Sequence, residues 1–256
     1  MGFKIDVIAC LTDNYAYLLR DEESGVAVVI DAPEAAPILA AVEAVGGRLD
    51  AVLLTHHHRD HIEGTSEIVA RTGAQIVGAA ADAHRLPPLG RAVADGESFS
   101  IGPLGFRVIA TPGHTIGHIV YYVPGAKALF SGDTMFSLGC GRLFEGSAAD
   151  MWDSLLRLVA LPPETNIYPG HEYTASNGRF ALTVDPDNPA LAERLSEVEA
   201  LRAAGKPSIP VTLGRELATN PFLRAGDPAL AQRLGLAGAP AVEVFAEIRR
   251  RKDSFR

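Results

Sequence analysis

Short apolar runs and helical patterns alternate over the first two thirds of the chain. Phe3–Ile8, Ala16–Leu19 and Val26–Ile30 predict three successive strands, and Pro33–Val45 keeps helical spacing up to a Gly46-Gly47 stop. Ala51–Leu54 is a buried-strand run that ends abruptly in a polar cluster. Ile76–Val77, Phe106–Ala110, Ile119–Val123 and Ala128–Ser131 extend the strand series. Ser147-Ala-Ala-Asp150 has the capping-box pattern, with Asp for the usual Glu, ahead of an apolar-periodic helix that ends at Pro162-Pro163. Strands interleaved with helices predict α/β layers.

From residue 173 onward the character changes. Asn188-Pro189 opens a helix with apolar positions Leu191, Leu195, Val198 and Leu201, and Gly205 closes it; Asp227-Pro228 and Pro240 open two more. No strand pair stands out there. The expected organisation is an α/β domain over residues 1–172 and a helical domain over 173–256.

Composition narrows the class. An apolar fraction of 47% and a charged fraction of 21% describe a globular chain with a sizeable core and exclude a disordered tail or a collagen-like repeat. No apolar run reaches the roughly 20 residues of a membrane span. The N-terminal stretch has Asp6 inside it and no cationic lead-in, so no signal peptide is expected. Lys and Arg number 23 against 31 Asp and Glu, a net charge of −8 that argues against nucleic acid as a partner. Arg249, Arg250, Arg251, Lys252 and Arg256 nonetheless crowd the last eight residues. Two cysteines, Cys10 and Cys140, make no disulfide framework, and a cytoplasmic location is expected.

The decisive segment is Thr55-His56-His57-His58-Arg59-Asp60-His61, directly after Ala51–Leu54. Four imidazoles and a carboxylate cluster at a strand end only where a cation gathers them. In an extended loop His56 and His58 lie on one side, while Asp60 and His61 can turn to a neighbouring position, which suits two metals close together. Three more polar insertions follow apolar strands, and each places a His or Asp beside Gly: Thr111-Pro-Gly-His114-Thr115, Ser131-Gly-Asp133-Thr134 and Tyr168-Pro-Gly-His171-Glu172. His56, His58, His114, Asp60, His61, His171 and Asp133 make seven nitrogen and oxygen donors. Two metals with a shared carboxylate need about that many. The set suits zinc, iron or manganese. His57 is out of phase and reads as an exposed or supporting residue; Cys140 is not expected to act as ligand or nucleophile.

The run HxHxDH, followed by TPGHT, SGDT and PGHEYT, resembles the metallo-β-lactamase superfamily, whose fold is an αβ/βα sandwich. Gly139-Cys140-Gly141-Arg142, Asn220-Pro221-Phe222-Leu223-Arg224 and Arg249-Arg250-Arg251-Lys252-Asp253 resemble segments of the glyoxalase II (hydroxyacylglutathione hydrolase) family, with a helical C-terminal domain. The resemblance implies one metal, most often zinc, on His56, His58 and His114, and another on Asp60, His61 and His171, with Asp133 bridging. It implies that Asp60 and Asp133 aim an activated water at a glutathione thioester, S-D-lactoylglutathione, to give D-lactate and glutathione. Arg249 and Lys252 would meet substrate carboxylates, and Arg142 and Tyr173 the peptide part of the carrier. Phe144 stands where the family commonly has Tyr, so one hydroxyl hydrogen bond is missing. A monomer is expected. Rival readings are another ester, thioester or lactam hydrolase, an iron-dependent persulfide dioxygenase of the same fold, and a binding protein on an inactive fold.

Overall fold

The computed structural model describes residues 2–255. Its contacts divide the chain into two compact units, Met1–Ala110 with Gly117–Gly132, and Thr111–Ile116 with Asp133–Arg256. This division differs from the one expected at residues 172 and 173. The stretch from Asp133 to His171, read with the α/β domain, groups with the helical remainder.

The first unit holds two sheets. One has strands in chain order: β1 (Phe3–Cys10), β2 (Asn14–Asp21), β3 (Ala27–Ile30), β4 (Ala51–Leu53), β5 (Gln75–Ala79) and β6 (Arg91–Val93). β1–β2 and β2–β3 pair antiparallel, while β3–β4, β4–β5 and β5–β6 pair parallel and need crossovers: α1 (Ala35–Glu43) joins β3 to β4, and α2 (Arg59–Ile62) and α3 (Thr65–Thr72) join β4 to β5. The other is an antiparallel meander of β7 (Ser98–Ile101), β8 (Leu104–Ala110), β9 (Ile119–Val123) and β10 (Ala128–Gly132). The sequence patterns for β1 to β4 and β8 to β10 match these strands within a few residues; β6, β7 and α3 are not among the elements those patterns predict.

Alternation along the strands divides the core. Ile8, Ala16, Leu18, Val29, Val52 and Ile76 face Ile38 and Val42 of α1 and Ile68 of α3. The opposite face meets the second sheet: the Tyr121 hydroxyl on β9 donates to the Leu54 carbonyl at 2.9 Å, and Tyr17 on β2 packs on Phe130 of β10 at 5.5 Å. Strands covered on both faces read as continuous apolar runs, and β3, β4 and β9 are buried at every position.

The second unit is mostly helical. A short hairpin, β11 (Met135–Phe136) with β12 (Gly139–Cys140), leads to α4 (Ala148–Val159). The expected capping box is present at its start, with Ser147 and Asp150 exchanging hydrogen bonds. β13 (Asn166–Pro169) follows, then α5 (Thr174–Val184), α6 (Pro189–Ala203), β14 (Val211–Thr212), α7 (Leu213–Thr219), α8 (Pro228–Arg233) and α9 (Ala241–Ser254). β14 pairs antiparallel with β13, so the C-terminal region does supply one strand. Asn188 and Asp227 cap α6 and α8 with their side chains, each ahead of a proline, as the sequence predicts. Phe180, Phe222 and Phe245 centre the aromatic core of this unit. No helix among the described residues is long and apolar enough to cross a membrane.

Candidate metal centre

In the first unit the polar loop after β4 presents four donors. His56 and His61 are fully buried, while His58 and Asp60 are half-buried. Their tautomers follow from the hydrogen bonds. Asp31, a carboxylate at the end of β3, accepts from the Thr55 hydroxyl at 2.9 Å, so that hydroxyl has no proton left for His56 Nδ1, 3.0 Å away. His56 Nδ1 therefore donates to Thr55, and His56 Nε2 presents a lone pair, 3.1 Å from His58 Nδ1. Asp31 also accepts from His61 Nδ1 at 2.8 Å, which leaves the lone pair on His61 Nε2, 3.8 Å from an Asp60 oxygen. A carboxylate on the far nitrogen of a ligand histidine fixes its ring and raises its basicity. Asp60 is held in turn by Asn14, whose amide donates to its backbone carbonyl and its carboxylate.

Other residues of the loop support it. His57 points away from these donors and meets Asp82 at 3.0 Å, a carboxylate that Arg85 also binds. His118 stacks on His56 with centroids 4.8 Å apart, and Gly132, at φ +46°, passes so close that a Cβ there would lie 2.7 Å from His118 Nε2.

In the second unit three donors meet at one oxygen. His114 Nε2 lies 3.3 Å and His171 Nε2 3.4 Å from the same Asp133 Oδ2, with all three residues buried. His114 Nδ1 donates to the Arg142 carbonyl at 2.9 Å, so a neutral His114 turns a lone pair toward the carboxylate. Lone pair against carboxylate is repulsive unless a cation lies between them. Each unit thus contributes nitrogen and oxygen donors of the kind a divalent cation takes. The fit to a metal rests on this donor chemistry.

The expected substrate residues also fall in the second unit. Phe144 is 62% exposed and lies edge-on to His114 at 5.2 Å. Tyr173 stacks flat on His171 at 4.6 Å. Lys252 is half-buried over Phe180 and Phe255, with its ammonium 3.3 Å from the Ser176 hydroxyl. Burial first, then the cations Arg249, Arg142 and Arg179, pull its pKa down to about 8. Arg142 and Arg179 are exposed, and the sequence reading missed Arg179.

Arg249 departs from expectation. It is 4% exposed and buried against Phe222; it donates to the Cys140 carbonyl at 2.9 Å and makes a two-pronged pair with Asp253. Three-residue spacing does put Arg249 and Lys252 on one helix face, but that face turns inward at Arg249, so this guanidinium braces a backbone turn. Cys140 is equally inert: burial pushes its thiol up to about 11, as expected for a non-catalytic cysteine. Arg256 of the basic cluster lies outside the described residues.

Residues 12–171 match the metallo-beta-lactamase superfamily, and this chain has that fold, an α/β sandwich with a helical C-terminal part. Residues 172–255 match the family described as the hydroxyacylglutathione hydrolase C-terminus. The chain is 55% identical over 256 residues to a hydroxyacylglutathione hydrolase of Rhodobacter capsulatus and 52% identical over 255 residues to one of Cereibacter sphaeroides, covering 100% of both chains in each case. It also resembles the solved structure of TTHA1623 in a di-iron-bound form, with a TM-score of 0.63 and 27% identity over 86% of this chain and 100% of that one. The chain belongs to the hydroxyacylglutathione hydrolase family and is an enzyme.

Proposed function

We propose that this enzyme hydrolyses S-(2-hydroxyacyl)glutathione thioesters, S-D-lactoylglutathione above all, to a 2-hydroxy acid and glutathione. Full-length likeness, at more than half identity, to relatives named hydroxyacylglutathione hydrolase carries the reading. The donor geometry supports it. His56, His58 and His114 would hold one divalent ion and Asp60, His61 and His171 a second, with Asp133 between them. Zinc is the first expectation; iron and manganese accept the same donors. Such a pair supplies Lewis-acid charge at the thioester carbonyl and lowers the pKa of water at the site.

The chain's own residues orient the reaction. Asp60, steadied by Asn14, and Asp133 accept hydrogen bonds from the attacking water and aim it. Thr55, Asp31 and the Arg142 carbonyl keep His56, His61 and His114 in the tautomers that leave Nε2 available. Lys252 and Arg142, with Arg179 beside them, attract the substrate's carboxylates, and Tyr173 and Phe144 supply ring surface for the peptide part. Residues 1–172 would then be the catalytic domain and 173–256 the substrate-binding domain, in a cytoplasmic monomer.

A substrate panel tests the reading: S-D-lactoylglutathione, a lactam, a phosphodiester and a persulfide, with metal analysis of the same preparation. The expected result is thioesterase activity, close to two ions per chain, and loss of activity on chelation. His171→Ala should hold close to one ion. Full activity with a single iron on the persulfide would establish the dioxygenase reading instead.

A further inference from the structure

The hairpin β11–β12 starts two residues after Asp133 and ends two residues before Arg142. It therefore links the carboxylate on which His114 and His171 converge to the carbonyl that fixes the His114 tautomer. The two ends are locked together. The Gly141 N–H donates to the Thr134 carbonyl, and a Cβ on Gly141 would lie 1.9 Å from the Asp133 carbonyl oxygen. Any shift of the hairpin moves both groups.

The tip of that hairpin is irregular. Leu138 adopts φ +57°, a left-handed conformation that a side-chain-bearing residue rarely takes. Its side chain is fully buried against Ala181 and Leu191, which holds the conformation in place. The polar groups of the hairpin are met by four side chains from three helices, α7 with its C-cap, α5 and α9. Glu216 on α7 accepts from the Leu138 N–H at 2.8 Å and the Ser137 hydroxyl at 2.8 Å. Asn220 donates to the Phe136 and Gly139 carbonyls and to Glu216. Asn177 on α5 donates to the Ser137 carbonyl, and Arg249 on α9 to the Cys140 carbonyl.

Glu216 is the hub of this set. It is fully buried, all three of its partners donate to it, and no substrate-facing role fits a carboxylate so placed. Removing a buried acceptor strands its donors. An amide in its place sets its own N–H2 against one of them.

We propose that Glu216 is a positioning residue: through the hairpin it sets where Asp133 and His114 stand in the metal centre. The proposal rests on the metal-hydrolase reading only for its activity arm. It is tested with Glu216→Gln and the milder Ser137→Ala, which deletes one hydrogen bond and keeps the buried carboxylate. Leu230→Ala on α8 serves as a control that lowers Tm without touching the hairpin. The readouts are Co(II) affinity, the visible spectrum of the Co(II)-loaded protein, and the separate changes in kcat and KM. For Glu216→Gln the expected result is Co(II) affinity weakened about 10–100-fold, the usual effect of losing a group that orients a metal ligand. Its Co(II) spectrum should shift, and kcat should fall more than KM rises. Ser137→Ala should move the same way by less, and Leu230→Ala should keep the parent spectrum. An unshifted spectrum and parent-like Co(II) affinity in both hairpin variants would overturn the proposal, as would an equal shift in Leu230→Ala. A parent enzyme that binds Co(II) but leaves S-D-lactoylglutathione intact counts against the thioesterase reading alone.

Discussion

Lys252 gives the proposed substrate site a pH signature. An ordinary lysine stays charged to above pH 10, but burial beside Arg249, Arg142 and Arg179 brings this one down to about 8. The cation is present below that value and lost above it. A charged hydrogen bond to a substrate carboxylate contributes about 1.5–3 kcal/mol, so Lys252→Ala should lower kcat/KM about 10- to 150-fold near pH 7. The parent enzyme should lose the same contribution by titration. One unit above the pKa only about a tenth of the molecules keep the ammonium, so kcat/KM at about pH 9 should fall roughly tenfold from its value at pH 7. The substrate's own amine titrates in this range, and the alanine variant controls for it, because that effect acts on both enzymes alike. Lys252→Arg should hold its kcat/KM through pH 9. The assay is initial rates on S-D-lactoylglutathione from pH 6.5 to 9.5 for all three proteins. Parallel profiles for the parent and Lys252→Ala would refute the reasoning.

Two further outcomes are expected. Phe144→Tyr should lower KM by a few-fold to about tenfold at constant kcat, the scale of one neutral hydrogen bond of roughly 0.5–1.5 kcal/mol; an unchanged KM, with the parent faster on a thioester of a smaller thiol, would point to a different carrier. Arg249→Met should lower Tm on the order of 5–15 °C, since it strands the Cys140 carbonyl and Asp253 at about 2–4 kcal/mol, and should raise KM less than Lys252→Ala does.

The metal donors were legible because each breaks an apolar strand with a group that has no reason to sit there. Asp31 carries the same signal, a lone carboxylate ending the run Val26–Ile30, but no histidine stands beside it to mark it as part of a metal site. The buried setting of Arg249 was hidden for a different reason. Helical spacing shows which residues share a face, but the partners Cys140 and Asp253 that draw that face inward come one from far along the chain and one from the next helical turn. Arg179 and Glu216 carried no pattern at all; only the fold places them.

The two cysteines bear on the redox life of the enzyme. Burial lifts both Cys10 and Cys140 to about 11, with Glu34 adding to the effect at Cys10. Near neutral pH only a very small fraction of molecules carries either as thiolate, the form that attacks disulfides. A catalyst that frees glutathione at each turnover works among glutathione and its oxidised dimer, and Cys140 lies in the very turn braced by Arg249. With thiols this unreactive, mixed disulfides form slowly there. The enzyme keeps handling the cell's main redox buffer without being titrated by it.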